Sequence, residues 1–193
     1  MREFQCTLIR HGKTAGNREK RYMGGRTDES LLPEERRFLQ QRKAPSVTSV
    51  FVSPMKRCVE TAQILFPHRE LILIPEFREI DFGVAEYRNH EEMNGLDWYQ
   101  RFIDTNGESG FPQGETLQEF SRRVCFGAKR LGVLEGDIAL VVHGGTIMSL
   151  LDEWSDPHED FYHWMTENGA GWTGRIQGDG KTGFRLRSIT PWP

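Results

Sequence analysis

The chain has 193 residues, 37% of them hydrophobic and 27% charged, with 25 Lys+Arg against 28 Asp+Glu for a formal net charge of -3. This length fits one domain, and the composition supplies a core and excludes a disordered or collagen-like chain. The slightly acidic balance argues against a dedicated nucleic-acid or membrane-surface binder, so an anionic ligand has to be met by a local cluster of positive charge.

In chain order, residues 4–9 read as a strand followed at once by the loop Arg10-His11-Gly12. Residues 31–43 are polar but helix-prone and stop before Pro45. Residues 47–52 are β-branched and apolar, a second strand. In 57–66, Val59, Ala62 and Phe66 share one helical face, and 71–74 make a third strand closed by Pro75. The stretch 81–113 is irregular, rich in polar and aromatic residues, and reads as an insertion over the strand ends. Residues 115–131 place Leu117, Phe120, Val124, Ala128 and Leu131 on one face of an amphipathic helix. A fourth strand at 137–142 and a helix at 146–154 follow. The end of the chain reads as a hairpin, with strands 172–176 and 184–189 around Gly178-Asp179-Gly180. There is no internal repeat, low-complexity tract or long linker. Alternating strands and helices point to an α/β fold with a mostly parallel sheet, whose sites form at the carboxyl ends of strands.

Cys6, Cys58 and Cys125 are few, widely spaced and without a CxxC pair, which argues against a disulfide framework or a structural zinc site. The opening Met1-Arg2-Glu3-Phe4-Gln5-Cys6 is too polar for a signal peptide, and no apolar run is long enough to span a bilayer. The expectation is a soluble cytoplasmic protein.

Two strand ends carry Arg10-His11 and His143-Gly144-Gly145, and Arg57 opens a helix just after the second strand. If these ends converge, two arginines and two histidines share one pocket. Arginine presents a fork of donors matched to phosphate oxygens, and histidine serves as nucleophile or acid/base near neutral pH. The glycines let backbone N–H groups approach an anion. Ester hydrolysis also needs a proton donor, and a carboxyl near a dianion is suited to it because its pKa is raised; Glu79 and Asp81 are the candidates. Taken singly, each residue has a plainer explanation. Arg57 could be an exposed first-turn arginine, His143 a satisfied strand-end histidine, and Asn17 a loop-forming residue. His68, His158 and His163 read as surface residues, and His90 as a candidate for the substrate mouth. The aromatics from Trp154 to Trp172 read as core. Other phosphate motifs fail: each cysteine lacks an arginine six positions on, and Gly180-Lys181-Thr182 has Arg175 where a P-loop needs its first glycine.

The blocks Leu8-Ile9-Arg10-His11-Gly12-Lys13-Thr14 with Asn17, Gly25-Arg26-Thr27-Asp28, Ser53-Pro54-Met55-Lys56-Arg57 with Glu60-Thr61-Ala62, Arg78-Glu79-Ile80 and Val142-His143-Gly144-Gly145 follow one another in order. Together they resemble the histidine phosphatase superfamily, the phosphoglycerate mutase-like fold. The resemblance implies a three-layer α/β/α domain over 1–193 with a small helical cap near 84–113. It also implies a nucleophile at His11, a phosphate clamp from Arg10, Arg57 and His143, further donors from Asn17 and the Gly144 N–H, and a general acid/base at Glu79. No metal and no cofactor are implied. The partner is a small phosphorylated metabolite, with no nucleic acid and no membrane.

The short chain and the segment from Phe82-Gly83 to Glu115-Thr116 are most similar to the α-ribazole phosphatase branch, which implies a phosphomonoesterase acting on α-ribazole 5′-phosphate or a related sugar or nucleotide phosphate. The chain stops at Pro193 without the tail that covers the site in phosphoglycerate mutases, which favours hydrolysis. Mutase activity and a non-catalytic phosphate-binding regulator are the rival readings. Two positions depart from the pattern. Lys13 stands where an acid is common and either favours a more anionic substrate or is an ordinary solvated loop lysine, and Ala85-Glu86-Tyr87 replaces the frequent Trp-Glu-Gly in a loop expected to border the substrate.

Overall fold

The structure is a computed structural model that describes residues 2–193. The strands are β1 (Phe4–Arg10), β2 (Ser49–Val52), β3 (Leu71–Leu73), β4 (Ile138–Val142), β5 (Gly171–Asp179) and β6 (Gly183–Trp192). The helices are α1 (Ala15–Arg18), α2 (Pro33–Gln40), α3 (Lys56–Leu65), α4 (His90–Met93), α5 (Asp97–Asp104), α6 (Leu117–Ala128) and α7 (Gly144–Trp154). One sheet has the order β3-β2-β4-β1-β5-β6. Pairings β3–β2, β2–β4 and β4–β1 are parallel, while β5 runs antiparallel to both β1 and β6. The mostly parallel expectation therefore holds, with β5 as the reversed strand.

Side chains alternate across the sheet with period two, and each face buries its own core. On one face Leu8, Phe51, Leu140 and Val142 pack against Phe120 and Val124 of α6 and Ile147, Leu150 and Leu151 of α7. On the other, Ile9, Val50, Val52, Ala139 and Val141 pack against Leu39 of α2 and Cys58, Ala62 and Leu65 of α3. This is the three-layer arrangement. All five residues of β4 are buried, as expected of a central parallel strand covered on both sides. A third cluster lies apart from the sheet: Ala85, Met93, Tyr99 and Phe111, with Tyr22, Phe82, Leu96, Trp98 and Phe102 against it.

Several boundaries shift for identifiable reasons. The helix expected over 31–43 spans Pro33–Gln40, because Pro33 occupies the first turn, where its missing N–H is harmless. The helix expected from 115 starts after Thr116, whose side chain forms a capping box with Glu119, and its last turn tightens into a 3₁₀ segment, Lys129–Leu131. The third strand ends at Leu73 instead of Ile74. The hairpin strands are longer than expected, and the turn lies at 180–182, where Asp179 Oδ1 accepts the N–H groups of Lys181 and Thr182. The last helix begins at Gly144, two residues before its expected start. Glycine is a poor helix former, so local propensity points past 144–145. The helix N-terminus thereby starts directly at the end of β4. Among the described residues no helix is long and apolar enough to cross a membrane.

Candidate active site

The parallel register puts Arg10 opposite Val142 and Val52 opposite Val141, so the residues leaving β1, β2 and β4 emerge side by side. Those residues are His11, Ser53 and His143. His11 is 3% exposed, and Ser53, His143 and Arg57 are fully buried.

The tautomer of His11 follows from its partners. Nδ1 lies 2.7 Å from the Gly12 carbonyl oxygen, which can only accept, so Nδ1 carries the proton. Nε2 is then a bare lone pair and accepts from Arg57 Nε at 3.2 Å. The same Arg57 N–H lies 3.3 Å from His143 Nδ1, and His143 Nε2 is 2.8 Å from Ser53 Oγ. The rest of the Arg57 guanidinium donates to main-chain carbonyls: Nη1 to Thr27 at 2.7 Å, Nη2 to Gly24 at 3.1 Å and Met23 at 3.3 Å. Thr61 ties this layer together, donating to the Arg57 carbonyl and accepting the Gly12 N–H.

Burial holds both histidines well below the ordinary 6.5, since a charged imidazolium cannot be solvated there. The positive charge of Arg57 and Arg10 pushes each further in the same direction. Burial and these charges favour a neutral His11 imidazole whose Nε2 lone pair accepts from Arg57.

Above this layer lies a cavity of about 530 Å³ lined by Arg10, His11, Asn17, Glu79, Gly144 and Gly145, among others. Arg10 donates through Nη1 to the Thr166 carbonyl at 2.6 Å, while its Nε is buried with no hydrogen-bond partner among the described residues. An unpaired buried donor of this kind carries a penalty of about 1–3 kcal/mol, more when charged, which an anion in the cavity relieves. Glu79 accepts from the N–H groups of Ile80 at 3.0 Å and Gly145 at 3.2 Å. Burial raises its pKa, and those two N–H groups, Arg57 and Arg10 oppose the rise. Gly145 is required here, since a Cβ would stand 2.5 Å from Glu79 Oε1 and 3.1 Å from the Phe120 ring. The α7 N-terminus faces the same space and adds roughly half a positive charge.

Five expected residues therefore line the cavity, and Arg57 and His143 lie in the layer beneath it, facing His11. Asp81, the alternative acid, is instead paired with Arg26 at 2.8 Å. Asn17 combines both of its readings. Its Oδ1 caps α1 by accepting from Thr14 N and Oγ1, each at 3.1 Å, which leaves the amide N–H groups for the cavity. Lys13 takes the plainer of its two readings, a solvated loop lysine off the cavity wall, where Lys20 is found instead. One expectation fails. Ala85, Glu86 and Tyr87 do not border the cavity: Ala85 is fully buried, and the segment packs behind the loop that holds Arg57. His90 does line the mouth. The aromatics of 154–172 split, with Trp154 and Trp164 buried but Phe161 and Tyr162 lining an apolar cleft of about 340 Å³ that shares Tyr22, Glu79, Phe82, Gly145, Met148 and Met165 with the main cavity.

Sequence reasoning missed Thr166 and Asn168. Asn168 Nδ2 donates to the His11 carbonyl at 3.0 Å, and Gly169, at φ 75°, turns its N–H to the Arg10 and His11 carbonyls. The Asn-Gly pair signals a turn but carries nothing that points to this contact.

A buried imidazole beside a cavity lined by Arg10, Lys20 and Arg21, with the Glu79 carboxyl on its wall, sits at the strand ends of a three-layer α/β frame. Residues 6–187 match the profile of the histidine phosphatase superfamily (branch 1), and the chain belongs to that family. It is 33% identical over 129 residues to a probable phosphoglycerate mutase GpmB of Cronobacter sakazakii, an alignment covering 63% of this chain and 60% of that protein. To the protein of the same name from Photorhabdus laumondii it is 31% identical over 166 residues, 76% of each chain. Among solved structures it resembles a putative alpha-ribazole-5′-P phosphatase from Escherichia coli, with TM-score 0.80 and 24% identity over 95% of this chain and 94% of that one, a likeness of fold. It also resembles the protein TTHB049 from Thermus thermophilus, with TM-score 0.70 and 26% identity over 98% and 99% of the two chains.

Proposed function

We propose that this chain is a cytoplasmic, metal-independent phosphomonoesterase working through a phosphohistidine on His11, with residues 84–113 as a cap on a single domain. The observation that carries the reading is the fixed tautomer of His11, whose bare Nε2 meets Arg57 Nε at 3.2 Å. In the first step His11 Nε2 attacks phosphorus and the P–O bond to the leaving group breaks. Protonated Glu79 gives its proton to the departing oxygen, for which its raised pKa suits it. The charge that develops on the ring spreads through Nδ1–H to the Gly12 carbonyl. Arg10, Arg57 Nε, His143, Asn17 and the Gly144 N–H stabilise the transferring group. Donors of this kind are worth about 2.7–4 kcal/mol each in comparable sites. In the second step ionised Glu79 takes a proton from water as its oxygen attacks phosphorus, and the N–P bond breaks.

The substrate is a small phosphate ester. The apolar cleft beside Glu79 favours an alcohol with a planar apolar part, as in α-ribazole 5′-phosphate, over a bare sugar. Phosphate release from a panel of esters in EDTA, with alkaline-quench trapping of the acid-labile phosphohistidine, tests the reading. Labelled His11 and release of inorganic phosphate support it; a labile phosphoenzyme absent under all substrates overturns it. Mutase activity is the second reading, favoured by the names of the GpmB relatives. It requires 2,3-bisphosphoglycerate to stimulate transfer and water to attack the phosphoenzyme slowly.

A further inference from the structure

We propose that Glu86 is a positioning residue that sets the phosphate-facing geometry of Arg57 through the main chain of the 23–27 loop. This extends the reading above by one residue and rests on Arg57 serving the phosphate site.

Arg57 has no carboxylate partner among the described residues. Its Nη atoms are held by the carbonyls of Met23, Gly24 and Thr27, so the placement of Nε between the two histidines is inherited from that loop. The loop is held at several points: Arg78 donates to the Gly25 carbonyl, and the Arg26 side chain pairs with Asp81 and donates to the Gln113 carbonyl, but Glu86 is the side chain that takes the main-chain N–H groups beside Thr27. Gly25 N–H donates to the Ile80 carbonyl at 2.8 Å. Glu86 Oε1 accepts two consecutive main-chain N–H groups, Arg26 at 3.1 Å and Thr27 at 2.7 Å. Thr27 thus donates to Glu86 through its N–H and accepts from Arg57 through its carbonyl, which makes it the link between the two side chains. Glu86 is in turn anchored by its own N–H to the Gly83 carbonyl and by Tyr87 N–H to the Tyr22 carbonyl, at the other end of the same loop.

The fit is close. A Cβ on Gly24 would collide with Glu86 Oε2 and the Ile80 carbonyl, so the loop passes against the carboxylate without a side chain between them. Oε2 is buried without a partner, so what Glu86 contributes is the double acceptance at Oε1. Glu86 lines neither the main cavity nor the apolar cleft, so its effect on phosphate is indirect, through the loop whose Thr27 and Gly24 carbonyls hold Arg57.

The test is a double-mutant cycle read by inorganic phosphate binding, measured calorimetrically on the whole chain. It needs no turnover, so it stands even if the phosphomonoesterase reading fails. Glu86→Ala is expected to weaken phosphate about tenfold or more, the loss typical of charge-assisted hydrogen bonds. In an Arg57→Ala background the same change is expected to have no further effect, because residues acting through one another are non-additive. Glu86→Gln keeps an acceptor oxygen at this place and should recover most of the affinity. Should Glu86→Ala not fold, Glu86→Asp, with shorter reach, takes its place in the cycle. Additive losses in the two backgrounds, unchanged phosphate affinity in Glu86→Ala, or failure of Glu86→Gln to recover would each overturn the proposal.

Discussion

The floor of the cavity and the segment that flanks its mouth are built on different physics. The floor is polar, buried and directional: Ser53, Arg57 and His143 are fully buried, and every side-chain nitrogen of His11, Arg57 and His143 has a hydrogen-bond partner. The 82–111 segment is held by rings. Phe102 and Phe111 stack with centroids 4.1 Å apart, and Tyr22 meets Phe82 and Phe111 edge-on at 5.0 and 5.4 Å. Its helices are short, and Gly83, Tyr87, Gly95, Asn106 and Gly107 all take positive φ. Hydrogen bonds tolerate little displacement, whereas apolar packing accepts substitutions of similar volume. A site divided in this way keeps its chemistry fixed while the walls that choose the alcohol can change.

The largest effect should come from the floor. His11→Ala removes the proposed nucleophile, and turnover should fall by about 10⁴ or more on the precedent of other catalytic nucleophiles, with an unchanged circular dichroism spectrum. A variant that retains turnover within about tenfold would mean that the floor is not where the phosphoryl group lands. Glu79→Gln should cost about 10²–10⁴ with alkyl phosphates and far less with p-nitrophenyl phosphate, whose leaving group needs no proton. In the native enzyme kcat/KM should decline as pH rises through the raised Glu79 pKa, and decline again at low pH as His11 gains a proton. Glu79→Gln should abolish the alkaline limb and keep the acid one.

The floor should also control stability toward acid. Both histidines have folded pKa values depressed below the ordinary 6.5, so the unfolded chain binds protons more readily. Their contribution is complete above about 6.5 and is lost as pH falls toward the folded values, at up to about 1.4 kcal/mol per pH unit for each histidine. Urea titrations between about pH 7.5 and 5 read this directly, and equal stability at both ends would contradict the buried neutral state. The smallest effect should come from the mouth. Phe111→Leu should lower stability by under about 1.5 kcal/mol and shift KM severalfold while leaving kcat in place. A large fall in kcat would show that the ring cluster holds the floor in register after all.

How much of this was legible in the chain differs between the same two regions. Arg10, His11 and His143 drew attention as charged residues beside glycines at strand ends, and the resemblance, which also picked Glu79 over Asp81, assembled them in order. The α/β alternation was equally readable, since strands buried on both faces, such as 138–142, are continuous apolar runs. Glu86 and Asn168 were not readable as parts of the site. Glu86 acts on main-chain N–H groups of residues 26 and 27 and Asn168 on the carbonyl of residue 11, and a backbone group looks the same at every position. Lys13 shows the converse, since its charge was visible in the sequence but whether it faced the pocket or solvent was not.

Periodicity and residue type, which are local properties, were enough to establish the α/β alternation, the family resemblance and the kinds of group that meet a phosphate. Folding added what depends on distance between remote segments. It put Arg57 Nε between histidines 46 and 86 positions away, chose the tautomer of His11, and turned the 85–87 loop from a substrate wall into a support behind Arg57. Those outcomes rest on hydrogen bonds whose energies fall steeply with distance and angle, a scale that no one-dimensional pattern encodes.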